Sequence, residues 1–120
     1  MAISGILSTA VSGLALASSR VAASADNIAN VNSPGFQARE IQSSSIVTRG
    51  NTETGFAPGG VRGVLRTSTG QSAVAAGIGS NVDITSELVT LIEAENAYKA
   101  GVEVIRTGTR LSRDLLNIKA

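Results

Sequence analysis

The chain has 120 residues, a formal net charge of +1 and no histidine or cysteine. Its composition therefore excludes cysteine-histidine zinc sites, thiol nucleophiles, histidine general bases and disulfide bonds, and its charge gives no reason to expect a polyanionic partner. The apolar fraction of 42% includes 17 alanines and only three aromatic residues, so a thick globular core would be hard to fill. Small apolar side chains instead favour helices whose backbones approach closely.

The first predicted element is a helix over residues 3–29. Apolar residues recur there every seven positions, and smaller residues take the alternate positions, as in one helix of a coiled coil. The heptad series is Leu7, Leu14, Val21 and Ile28. A helix of this length extends about 40 Å.

This segment is predicted to be neither a cleaved signal peptide nor a transmembrane helix. No Lys or Arg precedes Arg20, whereas a secretory signal needs a basic start and a continuous apolar centre. Serines and glycines interrupt the apolar run, and Arg20 falls within any window long enough to span a bilayer. If the protein leaves the cytoplasm, we expect another route.

The helix must end before the stretch "NSPGF", because the residue before a proline is disfavoured in the helical conformation. The sequence predicts that Asn30 or Asn32 closes the helix in the left-handed conformation. Pro34 and Gly35 are predicted to be the central pair of a type II turn. The side chains of Asn27 and Asn30 compete with helical hydrogen bonding. A simple helix stop does not explain why these two residues stand in the last helical turn.

Residues 37–81 are rich in Gly, Ser and Thr and are predicted to contain a β-hairpin. Its strands are expected within residues 36–49 and 59–69, with the turn formers of residues 50–59 between them. Residues 70–81 are expected to connect flexibly to the next helix.

The second long helix is predicted over residues 84–117. Asp83 is a natural N-cap, and Glu95 and Lys99 form an i,i+4 pair in the favoured order. Apolar residues follow a three-four spacing. Those expected to pack against the heptad series of the first helix are Leu88, Leu91, Tyr98, Val102 and Ile105.

No motif in the sequence indicates catalysis or ligand binding. Glu93 and Glu95 point to different faces of a helix, so solvated charge is favoured over a cooperating carboxylate pair. The stretch "GIGSNV" lacks the third glycine of a dinucleotide loop, and Arg62 and Arg66 have no base-stacking surface beside them. We therefore expect no enzymatic activity, cofactor, metal, nucleic acid or small-molecule substrate.

Two stretches of the sequence resemble the bacterial flagellar axial proteins, the rod and hook family. The stretch "DNIANVNSPGF" is similar to their N-terminal signature, an asparagine-rich helix end followed by Asn-Thr-Pro-Gly and an aromatic residue, with Ser33 in place of the threonine. Residues 81–107 resemble the C-terminal helix of the family, although Glu95, Asn96 and Gly101 depart from its usual residues. The resemblance marks as motif residues Asn27, Asn30, Asn32, Pro34, Gly35 and Phe36.

The resemblance implies a mainly α fold. Two long terminal helices would form an antiparallel coiled-coil-like pair, with a short β-hairpin or irregular segment between them. The chain would then divide into an N-terminal helix and turn (1–36), a variable middle (37–81) and a C-terminal helix (82–120).

The resemblance also implies a structural subunit of the flagellar basal-body rod, closest to a proximal rod protein because the middle is short. Such subunits self-assemble through their terminal helices into a helical axial tube that transmits torque. The implied partners are copies of the chain, other rod proteins and the flagellar type III export apparatus, which delivers family members to the periplasmic rod without a cleaved signal. The alternative is a non-flagellar helical adaptor or a secreted coiled-coil binding module.

Overall fold

The structure, a computed structural model, describes residues 2–47, 59–68 and 79–119. Its elements are helix α1 (Ala2–Ala29), strand β1 (Arg39–Ile46), strand β2 (Gly60–Thr67) and helix α2 (Ile84–Lys119). The mainly α fold with a short antiparallel hairpin between two long helices is thereby confirmed. The turn predicted between the strands, and most of the connection predicted before α2, lie outside the described residues.

The two helices run antiparallel and approach each other closely at two glycines. A Cβ built on Gly101 would lie 2.9 Å from Leu14 Cδ2, and one built on Gly108 would lie 2.9 Å from Leu7 Cδ2. Both leucines and both glycines are seven residues apart, so one contact repeats along the pair. Each leucine therefore packs on α2 at a position where any side chain would crowd it.

The hairpin lies on α1. Its strands pair in an unbroken register from Arg39↔Thr67 to Ile46↔Gly60. The Thr9 hydroxyl shares its proton between the Gly59 carbonyl, at 3.1 Å, and the Gly5 carbonyl of its own helix, at 2.9 Å. Val61 N donates to Ser12 Oγ over 3.1 Å. The described residues of the strands contact α1 and each other but not α2. The hairpin is therefore an attachment of α1.

The molecule is long and thin, with extents of 68 × 28 × 14 Å and a radius of gyration of 19.3 Å. A compact domain of this length has a radius of gyration of about 14 Å. The most buried apolar side chains of the described part are two alanines, Ala17 and Ala94, 3% and 1% exposed. Larger apolar side chains keep one side in solvent because the slab is little thicker than one helix.

Local charge and capping follow the sequence. The Asp83 carboxylate accepts from Thr85 N over 3.1 Å, which confirms the N-cap of α2. The Lys99 ammonium lies 2.8 Å from the Glu95 carboxylate, as the i,i+4 spacing predicts. The hydrogen bond from Lys99, and then its positive charge, lower the pKa of Glu95.

Helix α1 also has a property that the sequence argued against. By length and composition alone, Ile3–Ala29 is long and apolar enough to cross a membrane. This is weak support for a membrane span, because signal sequences and the core helices of soluble proteins share the same composition. That the chain does not span a membrane stays a prediction.

The Leu-on-Gly contact predicts an asymmetry between neighbouring positions of α2. We expect Gly101→Val to lower the free energy of unfolding by about 1–3 kcal/mol, because its side chain overpacks against Leu14. Ala100→Val, on the exposed side of the same turn, is the matched control and should cost less than about 1 kcal/mol. Thermal melts followed by circular dichroism measure both, and equal losses would contradict this packing.

Candidate assembly site at the asparagine turn

Asn27 is the most completely buried large side chain of the described residues, at 1% exposure, and it lies on the last turns of α1. Its Nδ2 donates to the Arg39 carbonyl over 2.7 Å and to Glu87 Oε1 over 2.9 Å. Its Oδ1 accepts from Arg39 N over 2.8 Å. One amide thus joins the end of α1, the start of β1 and the first turns of α2.

The Asn27 amide acts on Arg39 as a neighbouring strand would. It binds both the N–H and the C=O of one β1 residue, the groups that strand pairing satisfies elsewhere. Burying an amide without partners is costly, whereas each Asn27 polar atom has at least one. This explains why an asparagine is tolerated inside a helix that its side chain would otherwise weaken.

Asn30 has a local role. Its Nδ2 donates to the Asp26 carbonyl over 2.9 Å, and its Oδ1 accepts from the Ser33 hydroxyl over 3.1 Å. The side chain therefore bridges the last helical turn and the residue before Pro34. No described hydrogen bond involves the exposed Asn32 side chain.

The structure confirms the Pro34-Gly35 turn and corrects the helix end. Gly35 has a φ of +76°, and Phe36 N donates to the Ser33 carbonyl over 3.2 Å, as a type II turn requires. Among the described residues no asparagine has a positive φ, so the left-handed closure predicted at Asn30 or Asn32 is wrong. The chain instead leaves the helix through short-range backbone hydrogen bonds. In one of them Ser33 N donates to the Asn30 carbonyl over 2.9 Å.

The segment before α2 closes over this turn. Gly35 N donates to the Gly79 carbonyl over 3.0 Å, and the Ser80 hydroxyl donates to the Val31 carbonyl. Asn81 accepts from Ala38 N over 2.6 Å. The roles of Ser80, Asn81 and Glu87 were not predicted from the sequence. The available signal was that loop serines and asparagines commonly bond to nearby backbone.

The predicted helix-packing residues divide into two groups. Most are partly buried, but on α2 Leu88 and Tyr98 are 50% and 46% exposed, and on α1 Val21 is 39% exposed. Within the chain, the line of α2 that faces α1 runs through small residues and an acid. The partly buried predicted residues are Leu7, Leu14, Ile28, Leu91, Val102 and Ile105, and the facing line is Glu87, Ala94, Gly101 and Gly108.

Two grooves flank the helix pair. A polar groove of about 390 Å³ lies between the end of α1, β1 and the start of α2, and residues of both charges line it. An apolar groove of about 400 Å³ runs beside Ala10, Gly13 and Gly101. Among the described residues no group of three or more His, Cys, Asp or Glu side chains is placed to hold a metal ion. The hydrogen bonds of the site join the end of α1, the hairpin and the start of α2.

Comparison with known proteins agrees with this architecture. Residues 7–37 match the family described as flagella basal body rod protein, and residues 79–118 match the C-terminal region described for flagellar basal body rod FlgEFG proteins. The flagellar hook protein FlgE of Caulobacter vibrioides is 38% identical over 85 residues, 71% of this chain and 14% of that protein. That of Rhizobium meliloti is 36% identical over 94 residues, 77% of this chain and 21% of that protein.

Two long antiparallel helices paired through small residues, with an asparagine-containing turn at residues 30–36 near their junction, define a helix-paired structural protein. The chain belongs to the flagellar axial family of rod and hook proteins. It spans only about a seventh to a fifth of the length of the two hook proteins.

The turn predicts that substitution by alanine has different effects at two glycines that are joined by a hydrogen bond. Gly35→Ala should lower the free energy of unfolding by about 1 kcal/mol, because alanine is disfavoured at positive φ. Gly79→Ala should have little effect, because its backbone is not left-handed and an added Cβ meets nothing within 4 Å. Thermal unfolding of both variants tests this, and a neutral Gly35→Ala would count against the turn geometry.

A second pair of variants separates the buried asparagine from an exposed one. Asn27→Ala leaves both backbone groups of Arg39 without their side-chain partner, so we expect a loss of about 2–4 kcal/mol. Asn32→Ala changes an exposed side chain and should stay within about 0.5 kcal/mol of wild type. Similar midpoints of thermal unfolding for the two variants would show that the Asn27 amide is not required.

Proposed function

We propose that the chain is a structural subunit of the flagellar basal-body rod, of the proximal type, which self-assembles through its terminal helices into a helical axial tube that transmits torque. The observation that carries the proposal is the amount of large apolar surface left uncovered on paired helices. The large apolar side chains that form this surface are each at least 39% exposed. On the helices they are Ile6, Val11, Val21, Ile84, Leu88, Val89, Ile92, Tyr98, Val104, Leu111, Leu115, Leu116 and Ile118.

Part of this surface is ordered as a stripe on α2. Val104, Leu111, Leu115 and Ile118 follow one another at spacings of seven, four and three residues, so they share one face of the helix. They are 45%, 52%, 55% and 82% exposed. A monomer gains nothing from such a stripe, whereas a neighbouring subunit that covers it gains about 25 cal/mol for each Å² of apolar surface removed from water.

Helix pairing within one chain does not use up this surface, because α1 contacts α2 from one side. Contacts between different faces of identical subunits are head-to-tail and build open helical assemblies when the rotation does not close. This is the geometry that an axial tube requires. The proposed partners are therefore copies of the chain and other rod proteins that present similar helices.

The short middle of the chain supports a rod subunit over a hook subunit. The two family-matched regions are separated only by residues 38–78, and the described part of that interval is a single two-stranded hairpin. The hook relatives are several times longer than their aligned regions. A small middle leaves little mass to extend beyond the helix tube.

Periplasmic location, delivery by the type III export apparatus without a cleaved signal, and the lack of enzymatic activity belong to the same proposal. Long helices that gain stability mainly from packing are marginal before assembly. A chain of this kind passes through a narrow channel more easily than a rigid domain does. The lack of histidine and cysteine supports a structural over a catalytic role.

The direct test raises the concentration of the purified protein while sedimentation and far-ultraviolet circular dichroism are recorded. An axial subunit should gain helical signal as large species form. A fully helical monomer or a fixed dimer across the whole range would favour the adaptor or binding module instead.

The stripe makes a sharper prediction. Leu115→Glu should prevent the formation of large species, because a charge at a buried contact is costly, while leaving the helical signal of the dilute chain unchanged. The matched control is Asn117→Glu, an exposed polar position on the same turn, which should assemble as the wild type does. Assembly of both variants at equal concentration would exclude the α2 stripe as an interface.

A further inference from the structure

We propose that the amides of Asn27 and Asn81 couple the position of the hairpin to the docking of α2 on α1. The two amides hydrogen-bond to the backbone of the hairpin root, the open end of the hairpin formed by Ala38, Arg39 and Ser68. These hydrogen bonds are together called the grip. Asn27 reaches the root from α1, and Asn81 reaches it from the segment that leads into α2. The proposal makes Asn81 and Glu87 positioning residues for the hairpin.

Asn81 is inserted between the strands at their open end. Ala38 N donates to Asn81 Oδ1 over 2.6 Å, and Asn81 Nδ2 donates to the Ser68 carbonyl over 3.1 Å. The reverse backbone bond, from Ser68 N to the Ala38 carbonyl, remains at 2.8 Å. Opposed residues of a hydrogen-bonded antiparallel pair normally exchange two backbone bonds. Here the Asn81 amide replaces the second one.

Asn27 grips the outer edge of the same strand end. Two of its three hydrogen bonds go to the Arg39 backbone, and the third goes to Glu87 on α2. One Asn27 amide hydrogen therefore points to β1 and the other to α2. With α2 undocked, the second hydrogen would lose its Glu87 acceptor, and the Asn27 amide, only 1% exposed in the docked chain, would be opened to water beside the hairpin.

No other hydrogen bond or ion pair among the described residues joins the strands to α2. The described strand residues contact α1 but not α2, and the polar groove of about 390 Å³ lies between β1 and the first turns of α2. The connection between these two elements therefore consists of polar side chains that bridge a gap. Such a connection is directional, because hydrogen bonds weaken steeply when their angles change.

The hairpin root is therefore fully attached only while α1 and α2 are paired. Pairing of the helices places Glu87 and Asn81 where they complete the grip, and separation of the helices removes both. The hairpin then keeps its contacts with Thr9 and Ser12 near β2 but loses its root. In the assembly proposed above, the hairpin would take its direction only after the helices had paired. The coupling itself is a property of the single chain and does not depend on that assembly.

Amide hydrogen exchange, followed by NMR on the full chain below the concentration at which large species form, tests the coupling. Glu87→Ala changes only α2, yet it should speed exchange of the Arg39 amide on β1 about tenfold. Glu87→Gln keeps the Oε1 acceptor and should retain most of the protection. Glu93→Ala, an exposed acid on the same helix that lines the same groove, is the matched control and should leave Arg39 unchanged.

Either of two results with Glu87→Ala would overturn the proposal. The first is unchanged Arg39 exchange in Glu87→Ala together with fast exchange in Asn27→Ala, because the grip would then involve α1 and β1 alone. The second is equal acceleration in Glu87→Ala and Glu93→Ala, which would indicate general loosening of α2. If Glu87→Ala loses its helical signal, Glu87→Asp replaces it. This variant draws the carboxylate back and should accelerate Arg39 exchange, and no acceleration would also overturn the coupling.

Discussion

The close antiparallel contact of α1 with α2 is the constraint on which the rest of the structure depends. It rests on glycines, because Leu7 and Leu14 occupy the space that side chains at positions 108 and 101 would fill. Helices that approach so closely share a narrow core, and the buried apolar side chains of the described part are accordingly alanines. A narrow core fixes register well but removes little apolar surface from water.

Polar contacts between α1 and the hairpin add to the limited apolar packing of this narrow core. Thr9, Ser12 and Asn27 lie along one helix and bond to backbone groups at both ends of the hairpin. Backbone groups at a strand edge must find partners, and side chains of α1 provide them. The serine, threonine and asparagine side chains inside this otherwise apolar helix therefore serve to hold the hairpin on α1.

Much of this fold could be predicted from the sequence, because its strongest signals are local. The heptads of α1, the Asp83 cap and the Pro34-Gly35 turn each depend on a few neighbouring residues, and the structure has all three. The partners across the helix pair could not be predicted in the same way. Hydrophobic periodicity marks large side chains and overlooks glycine, so it favoured Leu88 and Tyr98 over Gly101 and Gly108.

The candidate site shows the same division. Asn27 was recognisable as unusual, because an asparagine in a helix needs a reason, but its partners lie 12 and 60 residues away in sequence. Asn30 was also recognisable, and its partners are local, yet its φ is not positive and it does not close the helix in the left-handed conformation. Local propensity identifies a residue that needs a partner, whereas only the fold determines which partner it finds.

The proposed assembly and the low stability expected of the free chain have the same physical origin. A slab 14 Å thick cannot bury both sides of two amphipathic helices, so the apolar surface that would stabilise a globular monomer stays in solvent. Any neighbour that covers this surface binds the folded chain and not the unfolded one, and so stabilises the fold by mass action. Thickening the core with larger residues at positions 101 and 108 would separate the helices and change the angle between their outer faces. The glycines therefore fix the separation of the helices, and in the proposed assembly this separation sets the geometry of the outer faces that neighbouring subunits contact.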